Sequence, residues 1–452
     1  CKKYIKPVKH EALKGAERLK GRPIIAGFGP CGIFAALELA KNGYRPIVLE
    51  RGKAMSERVR DVDIFRREGK LDINSNILFG EGGAGTFSDG KLMTGIKDPN
   101  IDYVLETLAR AGAGDEIMYK HRPHIGTDVL RSVIVNLREY IDSLGGEIRF
   151  SSTLKSLEIE GNELKRIVIE TVYGDEIKEE IIDTNALILA TGHSARDSYQ
   201  MMNSAMLEIE QKPLSIGVRI EHPQDIIDRA QYGSEYRLPP ADYKMSYKAS
   251  NGRGVYSFCM CPGGEVVVCS TENGELCVNG MSNRNRDSGV ANSGILCDVR
   301  TSDFESEDVL AGIYFQQKYE RKAFKNGGGN FIPPTCTMKE FLDGSAASVI
   351  ASLPDFAYEA IREAVPVFAK KIQGYDMDEA VIKAVETRSS APVRVLRNKV
   401  SGESTRIRGI YPAGEGCGHA GGITSAACDG IKQANKLMER FTNEGSLKDV
   451  AL

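Results

Sequence analysis

A strand that runs into a Gly-x-Gly-x-x-Gly turn and a helix, a second strand ending on an acid, and a distant glycine-rich strand-to-helix switch together predict an α/β fold. The predicted architecture is a Rossmann-type dinucleotide-binding domain with an inserted antiparallel α+β domain. Pro23-Ile24-Ile25-Ala26 is the first strand. Phe34, Leu37 and Leu39, with Ala35, Ala36 and Ala40, form a helix that Gly43 stops. Pro46-Ile47-Val48-Leu49 is the second strand, closed by Glu50.

The rest of the chain extends this pattern. A polar helix is expected over 54–68, a glycine-rich segment over 80–90, and helices over 100–111 and 127–143. Thr127 would cap the last of these and Gly145-Gly146 would stop it. Alternating runs at 147–150, 154–159, 164–172 and 177–182 read as a meander, followed by the strand Ala186-Leu187-Ile188-Leu189-Ala190. Residues 201–385 differ, with strand-like runs at 214–221, 255–260, 264–270 and 295–301 and helical runs at 305–325 and 355–373. They are expected to form the inserted substrate domain. The cofactor domain would then be discontinuous, over 22–200 and 386–441. Residues 1–21, with seven Lys or Arg, read as a basic linker or the tail of a preceding domain.

Composition excludes several classes. A net charge of −3 over 452 residues gives no global case for DNA binding, and RNA is disfavoured. No run approaches the ~20 apolar residues of a membrane span, nor the apolar core of a signal peptide. Ten cysteines include no CxxC and no zinc spacing, so no metal is expected and the protein reads as cytoplasmic. Cys259-Met260-Cys261 is a CxC inside a strand-like run. It reads as two small apolar residues, with a redox disulfide as the lesser alternative. The 47 glycines exceed the usual ~7% and cluster, which suggests loops that approach a ligand closely.

Three motifs carry chemistry. In the first, Gly27 makes the tight turn, Gly29 admits a pyrophosphate against the backbone, and Gly32 lets helix and strand pack. The helix N-terminus supplies free N–H groups for the phosphates, and Glu50 stands where a carboxylate can accept from ribose hydroxyls. In the second, Ala190-Thr191-Gly192 ends the returning strand. In the third, Gly414-Glu415 ends a strand and Gly421-Gly422-Ile423 opens a helix whose positive end can face a flavin C2=O.

With these motifs, the chain resembles the two-dinucleotide-fold FAD flavoproteins. More closely, it is similar to the bacterial FAD-dependent dehydrogenase family called NAD(FAD)-utilizing dehydrogenases. Four segments carry the likeness: Phe79-Gly80-Glu81-Gly82-Gly83-Ala84-Gly85-Thr86-Phe87-Ser88-Asp89-Gly90-Lys91-Leu92, Gly192-His193-Ser194-Ala195-Arg196-Asp197, Glu386-Thr387-Arg388-Ser389-Ser390-Ala391-Pro392-Val393-Arg394, and 411–430. The resemblance implies non-covalent FAD held by Gly27, Gly29, Pro30, Cys31, Gly32, Glu50, Arg51, Gly85, Thr86, Leu154, Ala190, Thr191, Gly192, Gly414, Glu415, Gly422 and Ile423. Glu415 departs from the commoner Asp, and Cys31 and Cys417 replace small residues.

No second Gly-x-Gly-x-x-Gly follows a strand, so NAD(P)H would bind without a fingerprint of its own. Catalytic candidates are Arg388, Lys91 and His193. Arg388 lies where the inserted domain rejoins the cofactor domain, and its guanidinium would grip a substrate carboxylate or phosphate with two prongs. Its bland alternative is an ion pair with Glu386 or an acid of the inserted domain. The expected activity is an FAD-dependent oxidoreductase, a dehydrogenase acting on a small, anionic substrate. Competing readings are an NAD(P)H-dependent flavin monooxygenase and, from the +5 cluster at 388–408, an FAD-dependent RNA-modifying or RNA-binding protein.

Overall fold

The computed structural model describes residues 14–234 and 238–443. Most of the basic segment 1–21 lies outside the described residues. Within it, Glu17–Arg18 is a short strand pairing in parallel with Phe441–Thr442, where the sequence pattern suggested a linker.

At the centre is a five-stranded parallel sheet. From edge to edge its strands are Ile410–Pro412, Leu187–Leu189, Ile24–Ala26, Ile47–Leu49 and Glu147–Arg149. All but Glu147–Arg149, which is half-buried, are fully buried, so they read as continuous apolar runs without alternation. Chain direction places the loops after Ala26, Leu49, Leu189 and Pro412 at the same end of the sheet. The order reverses at Ile24–Ala26, which has the second strand on one side and the returning strand on the other. A ligand crevice belongs outside the carboxyl ends of the strands at such a switch point.

Glu147–Arg149 corrects the meander expected from 147 onward, because this segment is the fifth parallel strand. The antiparallel meander comprises only Ser152–Glu160, Glu163–Tyr173 and Glu176–Asp183. The helix Pro30–Lys41 covers one face with Phe34, Leu37 and Leu39 buried, each contributing about 1.5–3 kcal/mol by leaving water. It packs on the C-terminal helix Ile423–Arg440, and a Cβ on Gly430 would collide with the Cys31 carbonyl at the crossing. Thr127 is not the N-cap of Thr127–Ser143. Gly126 takes that position, and the Thr127 hydroxyl donates to the Thr86 carbonyl at 2.7 Å, tying the helix to the glycine-rich loop.

The second unit is a six-stranded sheet in the order Ser246–Lys248, Gly254–Cys261, Val290–Val299, Leu214–Pro223, Val381–Glu386 and Thr335–Thr337, with all pairings antiparallel. The helices Ala311–Asn326 and Asp355–Ala369 pack against it and complete a core of its own. The hairpin Gly264–Cys269 and Cys277–Ser282 leans on this sheet toward the Rossmann unit.

Candidate flavin site

One cavity of about 380 Å³ opens at the switch point and runs between the two units. Gly27, Gly29, Pro30 and Cys31 form its floor, with Glu50, Arg51 and Leu154 at one end. Ala190, Thr191, Gly192, His193 and Glu415 line one side, and Gly85, Asp89, Lys91, Gly422 and Ile423 the other. Phe258, Cys259, Asn279 and Arg388 come from the antiparallel unit and its return strand.

Each glycine of the first motif has its own task. A Cβ on Gly27 would strike the Ala190 carbonyl, and one on Gly32 the Gly27 carbonyl. A Cβ on Gly29 would meet nothing nearer than the Gly83 Cα at 3.8 Å, so this position borders open space. The helix Pro30–Lys41 begins there without a side-chain cap, leaving its first N–H groups free for an anion.

Glu50 is 5% exposed, and its carboxylate is already at work in the protein. Oε2 accepts from the Phe28 N–H at 2.9 Å, while Oε1 accepts from Gly52 at 2.9 Å and Gly80 at 3.0 Å. The side chain expected to bind ribose therefore also laces together three loops. Only Oε2 retains a lone pair for a hydroxyl.

The glycine-rich loop 79–92 is held from behind by a residue the sequence reading passed over. Arg58, fully buried, donates to the carbonyls of Asn76 (2.9 Å), Glu81 (2.6 Å) and Ile77 (2.9 Å). Burial lowers its pKa to about 9, with Glu50 and Glu81 opposing. Nothing in the sequence distinguishes it from the other arginines of a polar helix. Asp429 was missed in the same way. It pairs with Arg397 (2.6 Å) and accepts from the Gly414 N–H at 2.8 Å, fixing the turn that presents Glu415.

Several expected contacts are corrected. Thr86 does not face the cavity; its hydroxyl donates to the Glu81 carbonyl because the short helical turn Ala84–Phe87 points it inward. Gly32 and Gly414 act by packing, not by lining, and a Cβ on Gly414 would lie 2.9 Å from the Cys31 Cβ. Arg51 stacks on Phe79 with 4.5 Å to the ring centroid and pairs with Asp197 at 2.8 Å.

The two-pronged grip expected of Arg388 is already taken. Its Nε and Nη2 donate to Glu320 at 3.0 and 2.7 Å, and Nη1 donates to Thr271 at 2.9 Å. This is the ion pair with an acid of the inserted domain. The residue still lines the cavity and keeps one N–H on each terminal nitrogen. Arg397 and Arg408 of the basic cluster also have carboxylate partners. Lys91 donates to the Met260 carbonyl and lies 3.8 Å from Asp89, which Arg286 holds at 2.6 Å. His193 contacts the Ser194 hydroxyl at 3.2 Å; burial lowers its pKa, against the pull of Glu415. His419 is pushed down to about 4 by burial and spends Nε2 on the Val395 carbonyl at 2.8 Å.

The set fits FAD. An uncapped helix start and an open glycine suit a pyrophosphate, and Glu50 retains an acceptor for a ribose. Glu415 is half-buried on the cavity wall, and its carboxylate accepts no hydrogen bond from a described residue. The Thr191 hydroxyl is buried without a partner among the described residues. Fold and site together define an FAD-binding flavoprotein of the Rossmann type.

Comparison with known proteins agrees. Residues 213–389 match the family described as FAD-dependent protein, C-terminal domain-like. A relative from Clostridium beijerinckii, named only "Uncharacterized protein", is 46% identical across 95% of this chain and 83% of its own length. The chain belongs to this family of FAD-dependent proteins, and FAD is its cofactor. Among solved structures, a flavin-dependent brominase is 11% identical at a TM-score of 0.44, covering 92% of this chain and 78% of that one. A geranylgeranyl bacteriochlorophyll reductase-like protein from Thermoplasma acidophilum is 14% identical at 0.39, with the same coverage. Among the described residues, no helix is long and apolar enough to cross a membrane.

Proposed function

We propose that this flavoenzyme is a dehydrogenase, exchanging hydride between a small anionic substrate and the flavin. The observation that carries the reading is the make-up of the cavity wall contributed from outside the phosphate and ribose motifs. Lys91 and the two unused N–H groups of Arg388 bring donors and positive charge to a wall whose one carboxylate there, Asp89, is held by Arg286, and whose other members include Phe258, Cys259, Asn279 and His193. Such groups suit a carboxylate or phosphate.

FAD, when bound, supplies the two-electron chemistry. The chain's residues do the holding. Gly29 and the first turn of Pro30–Lys41 would take the pyrophosphate, and Glu50 and Glu415 would accept from hydroxyls. Ile423 and the start of its helix would support the ring. Lys91 and Arg388 would orient the substrate anion, and His193 would accept a substrate proton. The antiparallel unit contributes Phe258, Cys259 and Asn279 to the wall and would limit water at the ring.

Anaerobic stopped-flow at the flavin absorbance, with NADH, NADPH and a panel of reduced carboxylates and phosphates, tests the reading. Rapid bleaching by an anionic metabolite, slowed at least about tenfold in Lys91→Met, is the expected result. Bleaching only by neutral compounds, unaffected by Lys91→Met, would overturn it.

A further inference from the structure

The strand Gly254–Cys261 delivers Phe258 and Cys259 to the cavity wall, and its register slips at that point. Phe258 pairs with Gly294, while Cys261, three residues later, pairs with Asn292, only two residues away. The extra residue makes a β-bulge, a device that re-aims side chains beside functional sites. Within it Cys259 has φ of 43°, a left-handed conformation that costs a residue with a Cβ. In a regular strand, positions two apart sit roughly 6.5 Å from each other. Here the bulge folds the strand back on itself, so that the Cys261 thiol donates to the Cys259 carbonyl at 3.2 Å.

The bulge is clasped by cations. Arg219, fully buried and paired with Glu386, donates to the Cys259 carbonyl at 3.0 Å. Lys91 donates to the next carbonyl, that of Met260, and the Cys261 sulfur lies 3.2 Å from the Cys259 carbonyl. The charged groups facing the pair are thus Lys91 and Arg219, with Asp89 and Glu386 of opposite sign. The neighbouring Cys261 side chain, against burial and with help from both cations, holds the Cys259 thiol well below its ordinary range. Cys259 in turn pushes Cys261 up. Cys31, Cys297, Cys336, Cys417 and Cys428 go the other way, raised by burial.

We infer that Cys259 and Cys261 form a second redox centre, a dithiol that closes to a disulfide by two-electron exchange with the flavin bound in the same cavity. As the S–S bond forms, the Cys259 thiolate and the Cys261 thiol give up two electrons and one proton. Both electrons and the proton pass to the oxidised flavin, and the negative charge of the thiolate passes with them. In the reverse direction the disulfide opens and the proton returns to Cys261. The site therefore stores a second electron pair next to the cofactor, of the kind exchanged with thiol and disulfide substrates.

Two measurements test this on the holoprotein. In an anaerobic reductive titration of the air-oxidised protein, wild type should take up about four electrons per flavin, and Cys259→Ser and Cys261→Ser about two each. N-ethylmaleimide labelling in denaturant should leave the peptide that carries both cysteines unlabelled before reduction and doubly labelled after it. If a serine variant loses FAD, labelling of diamide-oxidised, FAD-free wild type decides whether the pair closes. Full labelling of both cysteines in the oxidised protein would overturn the proposal. A disulfide that forms while uptake stays at about two electrons would overturn the exchange with flavin.

Discussion

Glu320→Gln probes the junction on which the cavity depends. Glu320 is fully buried on Ala311–Asn326 and collects four hydrogen bonds. They come from Arg388 at 3.0 and 2.7 Å, Arg196 at 2.9 Å and the Thr387 hydroxyl at 2.6 Å. Burial alone would raise its carboxyl, but Arg196 and Arg388 prevail and hold it at about 2, against an ordinary 4.5. At about 1.4 kcal/mol per pKa unit, that difference is about 3 kcal/mol of stability at neutral pH. Glutamine keeps one acceptor oxygen but no charge, so Arg388 loses the carboxylate that balances it and keeps only neutral partners such as Thr271, while Arg196 keeps Glu275 at 2.5 Å. A buried charge stripped of its partner costs about 3–5 kcal/mol. Urea unfolding of the FAD-free proteins at pH 7, followed by far-UV circular dichroism, should show a loss in that range. Because the folded pKa lies below the unfolded one, the contribution is complete above about 4.5 and drains away as pH falls toward about 2. The gap between wild type and variant should therefore close over that window. A loss under ~1 kcal/mol at pH 7, or a gap that does not change with acid, would refute the reasoning.

Gly29→Val should fold but purify without yellow colour, since its branched side chain would fill the open space that now ends 3.8 Å away at Gly83; a fully loaded variant would remove the phosphate assignment. Glu50→Gln should weaken FAD and also destabilise the FAD-free protein, by about 1.5–3 kcal/mol for each charge-assisted bond lost. Calorimetry of the FAD-free form separates the two effects, and an unchanged melting profile would contradict the lacing of Phe28, Gly52 and Gly80. Denaturing the holoprotein should release all the flavin to the supernatant, because Cys417 is buried with its sulfur on the Leu189 carbonyl and His419 is committed to Val395. Colour retained in the precipitate would show a covalent bond.

Much of the cofactor half was legible in the sequence because its constraints are local. A turn that tolerates no Cβ must be glycine, a strand buried on both faces must be apolar, and a helix over a phosphate must start uncapped. Gly27 and Gly32, where a Cβ would strike a carbonyl, stand where the turn pattern pointed, and the antiparallel strands after Leu214 stand where the periodicity changes. Glu147–Arg149 escaped because an alternating run looks the same in a meander and at the edge of a parallel sheet. What tertiary structure alone decided is how the charges are shared out. Arg388 and Glu320 stand 68 positions apart, Arg138 and Glu81 57, and Arg219 and Glu386 167. A guanidinium carries no mark of whether it will meet solvent, substrate or a buried acid. That outcome depends on which carboxylate the folded chain brings within about 3 Å, where the low dielectric of the interior makes the pairing decisive. The pair Cys259 and Cys261 shows the same division. Their spacing was plain in the sequence, but only a one-residue slip between two strands brought Cys259 to the cavity wall and set Lys91 and Arg219 beside the pair.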